Sequence, residues 1–332
     1  MGKKNLTIFL PKLKRRESRT FSTNALAATW ITASDLLTGT NQKMTITNNY
    51  DLPAPMYRAL AHDGYMAGTR KADISVTTLI GPPKINQLKK RHSDLIVEDA
   101  SDRVWALLGQ SVHKVLELAG GEEELTEKRL YLEINGWTLT GQTDLYETGN
   151  KVISDFKVTS VFSFLLGGKS EWEAQINLNA MLWRSYGYEV NKGQIVAILR
   201  DWQASKAEYD KEYPQCAVHI VDIPLWDNDE CLAYAAERIK LHQAAAAMPD
   251  DTIPCCEPKE RWAKSNTFAI KKDGNKRAAK VCDTLEEAQQ LLPTYGAKHS
   301  IEKRAGGDIR CERYCSVAPF CHYYKATYKS NE

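Results

Sequence analysis

The chain has 332 residues, of which 43% are hydrophobic and 26% charged, values that are ordinary for a soluble globular protein of one or two domains. Its net charge of +2 neither requires nor excludes an anionic partner, so any affinity for a polyanion must show itself in local features. No stretch approaches the roughly 20 apolar residues of a membrane span. We therefore expect a cytoplasmic protein with no membrane partner.

From residue 98 onward, helical and strand patterns alternate. Helical periodicity extends over residues 98–118, and strands follow at 129–134, 137–147 and 151–158, the first two joined by an Asn135-Gly136 hairpin turn. The remaining predicted elements are a helix at 170–187, strands at 192–202 and 217–225, a helix at 227–247, and a small basic hairpin with a helix at 268–292. This order is typical of an α/β protein.

Asp144, Asp155 and Lys157 interrupt strands that ought to be half buried. Residues i and i+2 of a strand share a face, so Asp155 and Lys157 project together, while Asp144 lies on the adjacent strand. Two carboxylates this close repel each other unless a cation lies between them, and oxygen ligands select Mg²⁺ or Mn²⁺. A lysine beside such a site orients an attacking water or stabilises a phosphoryl transition state. The alternative is a surface salt bridge between Asp155 and Lys157.

Two helices supply further polar residues to the same region. Gly109 and His113 lie four residues apart on one helix face, where His113 can act either as a nitrogen ligand to the metal or as a structural histidine. Gln175 lies in the first turns of the helix after the third strand, where its amide can reach a scissile phosphate or Lys157. Together these residues are suited to cutting phosphodiester bonds.

Four segments taken in chain order, "GQSVHKVLE", "LTGQTD", "ISDFKV" and "EAQINLNAML", resemble the motifs of the PD-(D/E)XK nuclease superfamily and specifically its RecB-like branch. The resemblance covers residues 98–202 and implies a restriction-endonuclease-like fold, with a central mixed β-sheet flanked by helices. The residues that it places at the metal are His113, Asp144, Asp155 and, through its backbone carbonyl, Phe156. The residues to which it gives catalytic roles are Asp144, Asp155, Lys157 and Gln175.

Two positions depart from the family pattern. Asp155 occupies the second acidic position, where glutamate is commoner. Asn179 stands four residues after Gln175, where the family motif has tyrosine. The resemblance therefore implies the metal chemistry for this chain, but not the stacking or hydroxyl contact that a tyrosine in place of Asn179 would make.

The eight cysteines are unevenly placed, with none before Cys216 and six after residue 250. Cys311, Cys315 and Cys321 are spaced C-x3-C-x5-C, whereas zinc sites commonly show two close pairs. Three clustered thiols and one distant thiol suit a four-thiolate iron–sulfur cluster better. Several RecB-like nucleases end in a similar triplet, which holds a four-iron four-sulfur (4Fe-4S) cluster.

In those relatives the fourth cysteine precedes the catalytic core, where this chain has none. We favour Cys256 as the fourth ligand, with Cys255 and then Cys282 as alternatives. The cysteines predicted to hold the cluster are Cys256, Cys311, Cys315 and Cys321. The alternative to a cluster is a Zn²⁺ site or unligated thiols.

The last eighty residues also mix bases with aromatic residues, a composition that suits single-stranded or frayed DNA, although a solvated surface explains it as well. These residues are Lys271, Lys272, Lys276, Arg277, Lys280, Tyr323, Tyr324, Lys325, Tyr328 and Lys329.

We expect three regions: an N-terminal extension at 1–95 that is a candidate DNA-contacting region, a nuclease core at 96–250 and a cysteine-rich cap at 251–332. The expected function is metal-dependent hydrolysis of DNA, with an exonuclease favoured, on double- or single-stranded ends in recombination, repair or phage replication. The chain lacks a G-x-x-x-x-G-K-[ST] phosphate loop, so a helicase or single-strand-annealing partner would be a separate polypeptide. The rival expectations are a non-catalytic DNA-binding scaffold that keeps the fold and a zinc-stabilised interaction module. The oligomeric state is left open.

Overall fold

Strands and helices alternate along the residues that the computed structural model describes, namely 44–62, 72–165 and 170–329, all within the compact unit Gln42–Glu332. The strands are β1 (Thr45–Thr47), β2 (Ile74–Ser75), β3 (Val97–Asp99), β4 (Glu124–Ile134), β5 (Trp137–Glu147), β6 (Val152–Thr159), β7 (Lys192–Leu199), β8 (Val218–Ile223), β9 (Ala263–Lys264), β10 (Thr267–Lys272), β11 (Lys280–Cys282), β12 (His299–Arg304) and β13 (Gly307–Asp308). The helices are α1 (Ala54–Ala61), α2 (Val76–Ile80), α3 (Pro83–Arg91), α4 (Val104–Leu118), α5 (Val161–Leu165), α6 (Ser170–Ser185), α7 (Ala204–Tyr209), α8 (Asn228–Ala247), α9 (Leu285–Tyr295), α10 (Ile309–Arg313) and α11 (His322–Tyr324).

Six strands form the central sheet, in the order β2-β5-β6-β7-β8 with β4 also paired to β5. β4 and β5 are antiparallel along their whole length because Asn135 and Gly136, with φ of 50° and 75°, make the two-residue turn. β6 and β7 are parallel, whereas β7 and β8 are antiparallel. A central mixed sheet flanked by helices is the architecture expected of a restriction-endonuclease-like core, and this fold prediction is confirmed.

Helices cover both faces of the sheet. On one face, α6 packs its Trp172 and Ile176 against Ile153 of β6, and α8 packs beside it. Each fully buried side chain of this size contributes about 1.5–3 kcal/mol relative to an exposed one. On the other face, α4 lies against β6 and places His113 beside the Phe156 ring. Among the described residues, no helix combines the length and the apolar content needed to cross a bilayer.

The helix predicted to begin at residue 98 begins instead at Val104. Residues 97–99 form β3, which pairs in parallel with β1. The Asp99 carboxylate then accepts the Asn49 N–H at 2.8 Å and the Ser101 N–H at 3.0 Å. These bonds fix an extended Asp99 and a 3₁₀ turn before α4, an outcome of tertiary pairing that helical periodicity alone does not reveal.

Beyond α8 the chain forms a small second sheet. β10 is its central strand, with β11 and β12 antiparallel on either side, and α9 packs Ala288 against Ile270. The predicted basic hairpin and helix are therefore present. The short strands β9 and β13 pair where this excursion leaves and rejoins the chain, with Lys264 opposite Gly307. The domain boundaries expected at residues 95 and 250 remain predictions.

Candidate active site

Strands β5 and β6 separate where the predicted acidic residues lie. Their pairing includes Leu145 opposite Ser154 and goes no further, so Asp144 and Asp155 come next at the opening. The Phe156 N–H donates a hydrogen bond across this opening to Asp144 Oδ2 at 2.7 Å. A carboxylate thus satisfies a backbone donor that the strand pairing leaves free, and Asp144 is held at the edge of the gap.

His113 reaches this gap from α4. Its Nδ1 lies 3.4 Å from Asp144 Oδ1 and 3.4 Å from Glu127 Oε1, and its Nε2 lies 3.1 Å from the Phe156 carbonyl oxygen. Both ring nitrogens therefore face acceptors, which favours the doubly protonated ring. The hydrogen bond to Asp144, followed by that to Glu127, raises the pKa of His113 to about 10.

Glu127 is a functional candidate that the sequence reasoning missed. The pairs Thr126–Leu145 and Lys128–Thr143 place Glu127 directly opposite Asp144. The hairpin turn predicts this pairing. Ile134 pairs with Trp137 beside the turn, and Glu127 and Asp144 each lie seven residues farther along their strands.

Glu127 is also strained. Its φ of 51° lies in the left-handed region, which costs a non-glycine residue about 1–3 kcal/mol. A hydrogen-bonded chain holds its carboxylate, since Gln142 Nε2 donates to Glu127 Oε2 and Arg129 Nη2 donates to Gln142 Oε1. Backbone strain of this kind persists only where surrounding contacts hold the residue in place. Here the contacts from Gln142 and Arg129 hold the Glu127 carboxylate beside His113 and Asp144.

The regular alternation of side chains between the two faces of the sheet is interrupted in β4 and β5 at Glu127 and Asp144. In β4, Leu125 and Leu130 both pack in the core although their spacing is odd. In β5, Thr143 accepts the Trp183 indole N–H and Tyr146 stacks on the same ring, again at odd spacing. A regular strand would turn one member of each pair to the other face. Because of this shift, hairpin residues before and after Glu127 and Asp144 pack in the core, while the two acids contact His113 of α4.

Asp155, Lys157 and Gln175 form a second linked group on the α6 face. Lys157 Nζ lies 2.7 Å from Asp155 Oδ2 and donates to Gln175 Oε1 at 3.0 Å, while Gln175 Nε2 donates to Asp155 Oδ1 at 2.7 Å. Burial raises the pKa of Asp155 to about 6, against the opposing charge of Lys157. The amide thus holds the acid and the amine together, in a pairing that is buried rather than a surface salt bridge.

The donor set suits a hard divalent cation. One ligand atom each from His113, Glu127 and Asp144 lies within 4.8 Å of the others. Asp155 is not a member of this group of three, and its buried Oδ2 forms the 2.7 Å ion pair with Lys157 Nζ. Carboxylates with a single imidazole are the ligands that Mg²⁺ or Mn²⁺ accepts.

Asn179, at the family's tyrosine position, does not reach this cluster. It is 2% exposed and packs against Gly141, where an added Cβ would lie 2.3 Å from Asn179 Oδ1. Close approach of α6 to β5 therefore requires glycine at 141.

Five cysteines line one cavity beside α3. They are Cys255, Cys256, Cys311, Cys315 and Cys321. Cys282 lies elsewhere, packed against Ile270 in the second sheet. Burial raises the pKa of Cys256 to about 12 and that of Cys311 to about 11, so these thiols stay protonated at neutral pH unless a metal displaces the proton.

Arg261 joins the two chain segments that carry these cysteines. Its Nη1 donates to the Cys256 carbonyl oxygen, its Nε lies 3.1 Å from Asp308 Oδ1, and its guanidinium lies 4.7 Å from the centroid of the Tyr323 ring. Tyr323 in turn donates its hydroxyl to Asp308 Oδ2 at 2.7 Å. On the opposite wall the buried Lys84 donates to the Ile253 carbonyl at 2.7 Å. These side-chain contacts therefore help to hold the two cysteine-carrying segments together.

No known family model matches the chain, and no curated protein matches it. Among solved structures, the chain is similar to the crystal structure of SSO0001, at 19% identity, with 56% of this chain and 84% of that chain covered and a TM-score of 0.41. It is also similar to the crystal structure of a phage-related exonuclease from Haemophilus somnus 129PT, at 15% identity, with 50% of this chain and 72% of that chain covered and a TM-score of 0.27. Both likenesses are distant, and the function of the chain has to be inferred from its own side chains.

Proposed function

We propose that this chain is a nuclease of the PD-(D/E)XK type, in its RecB-like branch, that hydrolyses DNA phosphodiester bonds with Mg²⁺ or Mn²⁺. One observation carries the proposal: where β5 and β6 separate, His113 pairs with Asp144 at 3.4 Å and Lys157 pairs with the neighbouring Asp155 at 2.7 Å. Gln175 joins the same group from α6. These are the residues that the motif resemblance assigns to catalysis.

The side chains divide the chemistry between them. Asp144, Asp155, Glu127, His113 and the Phe156 carbonyl would hold the cation, which when bound polarises the phosphoryl oxygen and acidifies a water. Lys157 brings a positive charge to the phosphate that gains negative charge in the transition state. Gln175 orients that amine through its 3.0 Å bond and holds Asp155 in the geometry that the cation needs.

Digestion of end-labelled linear DNA and of covalently closed circular DNA, with Mg²⁺ or with EDTA, tests the proposal. An exonuclease, which the motif resemblance favours, degrades only the linear form, whereas an endonuclease also cuts the circle. Asp144→Asn and Lys157→Ala are expected to lower the rate by at least a hundredfold with an unchanged far-UV spectrum. Asp222→Asn is the matched control, because Asp222 pairs with Lys192 at 2.8 Å outside the cluster.

Unchanged cutting by both cluster variants would show that the site lies elsewhere. A parent protein that binds DNA but never cuts it, with either metal, would favour the non-catalytic scaffold. The proposal also includes a separate helicase or single-strand-annealing partner and a role in recombination, repair or phage replication.

We further propose that Cys256, Cys311, Cys315 and Cys321 ligate a structural 4Fe-4S cluster. All four thiols line one cavity, which supports this proposal. Their sequence spacing, a triplet with a distant fourth thiol, suits four thiolates around a cluster.

Iron, sulfide and zinc analysis of protein purified without oxygen, with the visible absorbance spectrum, tests this second proposal. About four irons per chain with a brown colour is the expected result, and one zinc with no iron would support the interaction-module alternative. Cys255→Ser and Cys256→Ser, compared side by side, identify the fourth ligand, because only the ligand's loss lowers the iron content.

A further inference from the structure

Helix α4 carries an exposed tryptophan on the side that leads to the candidate site. Trp105, Gly109 and His113 follow one another at intervals of four residues and so lie along one side of the helix. No residue of α4 is buried, and the Trp105 side chain is 57% exposed. Packing within the described residues therefore gives no reason for so large an apolar ring at this position.

The Arg200 guanidinium lies over one face of the Trp105 ring. Its guanidinium carbon lies 4.3 Å from the indole centroid. The Arg200 N–H donates to the Thr159 carbonyl at 2.9 Å, so the pair lies at the end of β6, the strand that carries Asp155 and Lys157. An aromatic face beside a guanidinium is the combination with which proteins stack an unpaired base and neutralise its phosphate.

Because Gly109 has no side chain, the backbone of α4 is uncovered between Trp105 and His113. A Cβ built there meets nothing within 4 Å, so neither packing nor backbone conformation requires glycine. Glycine destabilises the middle of a helix relative to alanine, and its presence there needs another reason. Trp105 and His113 are two helical turns apart, about 12 Å along the axis, and Gly109 lets a ligand backbone approach midway between them.

We propose that Trp105, Arg200 and Gly109 form a binding path for the single-stranded end of a DNA substrate. An unpaired base stacks on the free face of Trp105, Arg200 pairs with its phosphate, and the sugar–phosphate chain crosses Gly109 toward the His113 cluster. The inference rests on the proposed nuclease function and specifies its substrate. Inside a duplex every base is stacked between its neighbours, whereas an unpaired strand offers base faces along its length, so the occupant that we propose is a single strand.

Fluorescence anisotropy of a labelled 20-nucleotide single strand and of a blunt duplex, with Asp144→Asn protein in EDTA, tests the path without cutting. Trp105→Leu is expected to weaken single-strand binding about tenfold and duplex binding less than twofold, and Trp105→Phe is expected to restore most of the loss. Trp262→Leu is the matched control, because Trp262 is 46% exposed with Arg310 at 5.6 Å, but lies in the cap.

Gly109→Ala separates binding from folding. Alanine is expected to raise the melting temperature by about 1–3 °C, while weakening single-strand binding at least threefold. An alanine variant that binds like its parent would remove Gly109 from the path. Equal loss on single strand and duplex in Trp105→Leu, or no loss, would overturn the proposal. If the parent binds through Trp105 but cuts nothing in the digestion assay, the hydrolytic function fails while the binding path stands.

Discussion

The protonated His113 predicts that the cation-free protein loses stability as pH rises. The pKa of His113 is raised from 6.5 to about 10 by Asp144 and Glu127. A group whose pKa is raised by folding stabilises the protein fully below its unfolded value and no longer does so above its folded value. The stabilisation should therefore be complete below pH 6.5 and be lost as pH rises to about 10.

The size of the effect follows from the shift. A difference of 3.5 pKa units corresponds to about 5 kcal/mol, which is an upper value because the ring is 26% exposed. Solvent screening reduces it to about 2–3 kcal/mol. The His113→Gln variant lacks the titrating group, so we expect it to be less stable than the parent by this amount at pH 6.5 and equally stable near pH 10.

Urea unfolding of the parent and of His113→Gln in EDTA, at several pH values from 6 to 10, measures this difference. Comparing the two chains under identical conditions removes the contributions of groups that do not interact with His113. Mg²⁺ should restore stability to the parent most strongly at high pH, where no proton competes for the site. Parallel pH profiles for the two proteins would refute the paired imidazolium.

Three further predictions concern other parts of the chain. Glu127→Gln is expected to weaken the apparent Mg²⁺ affinity by about 10- to 100-fold in a metal titration of cleavage, and an unchanged titration would remove Glu127 from the site. Cys321→Ser should lower iron per chain and the melting temperature, whereas Cys282→Ser, outside the cavity, should keep its iron; equal iron loss would contradict the assignment. Gly141→Ala is expected to lower the free energy of unfolding by about 1–3 kcal/mol, because the new Cβ would lie 2.3 Å from Asn179 Oδ1; denaturant titration measures it.

Local patterns in the sequence predicted the central sheet well, because its signals are short-range. Asn135-Gly136 specifies a two-residue turn, and alternating residues then define both strands of the hairpin. The same turn also fixes Glu127 opposite Asp144, although Glu127 lies outside the four motif segments. The strained backbone of Glu127 left no compositional signal at all.

Long-range contacts account for what the sequence could not provide. The sequence placed the Gln175 amide within reach of Lys157, but it did not indicate the second bond of that amide, to Asp155, which joins α6 to β6. Arg261 is likewise an unremarkable surface-type residue in the sequence, and only the fold brings it to Asp308 and Tyr323. The sequence identified the cysteine triplet and favoured Cys256 over Cys255 as its fourth member, whereas the fold places both Cys255 and Cys256 in the cavity of the triplet.

The pairing of β9 with β13 makes the second sheet an insertion whose two ends touch. Lys264 lies opposite Gly307, so the intervening 42 residues, 265–306, leave and rejoin the chain at one place. A segment attached in this way can be exchanged or replaced by a short turn without changing the path of its flanks. The cysteines that line the cavity belong to those flanks, so residues 265–306 can vary in sequence and length while the cavity keeps its thiols.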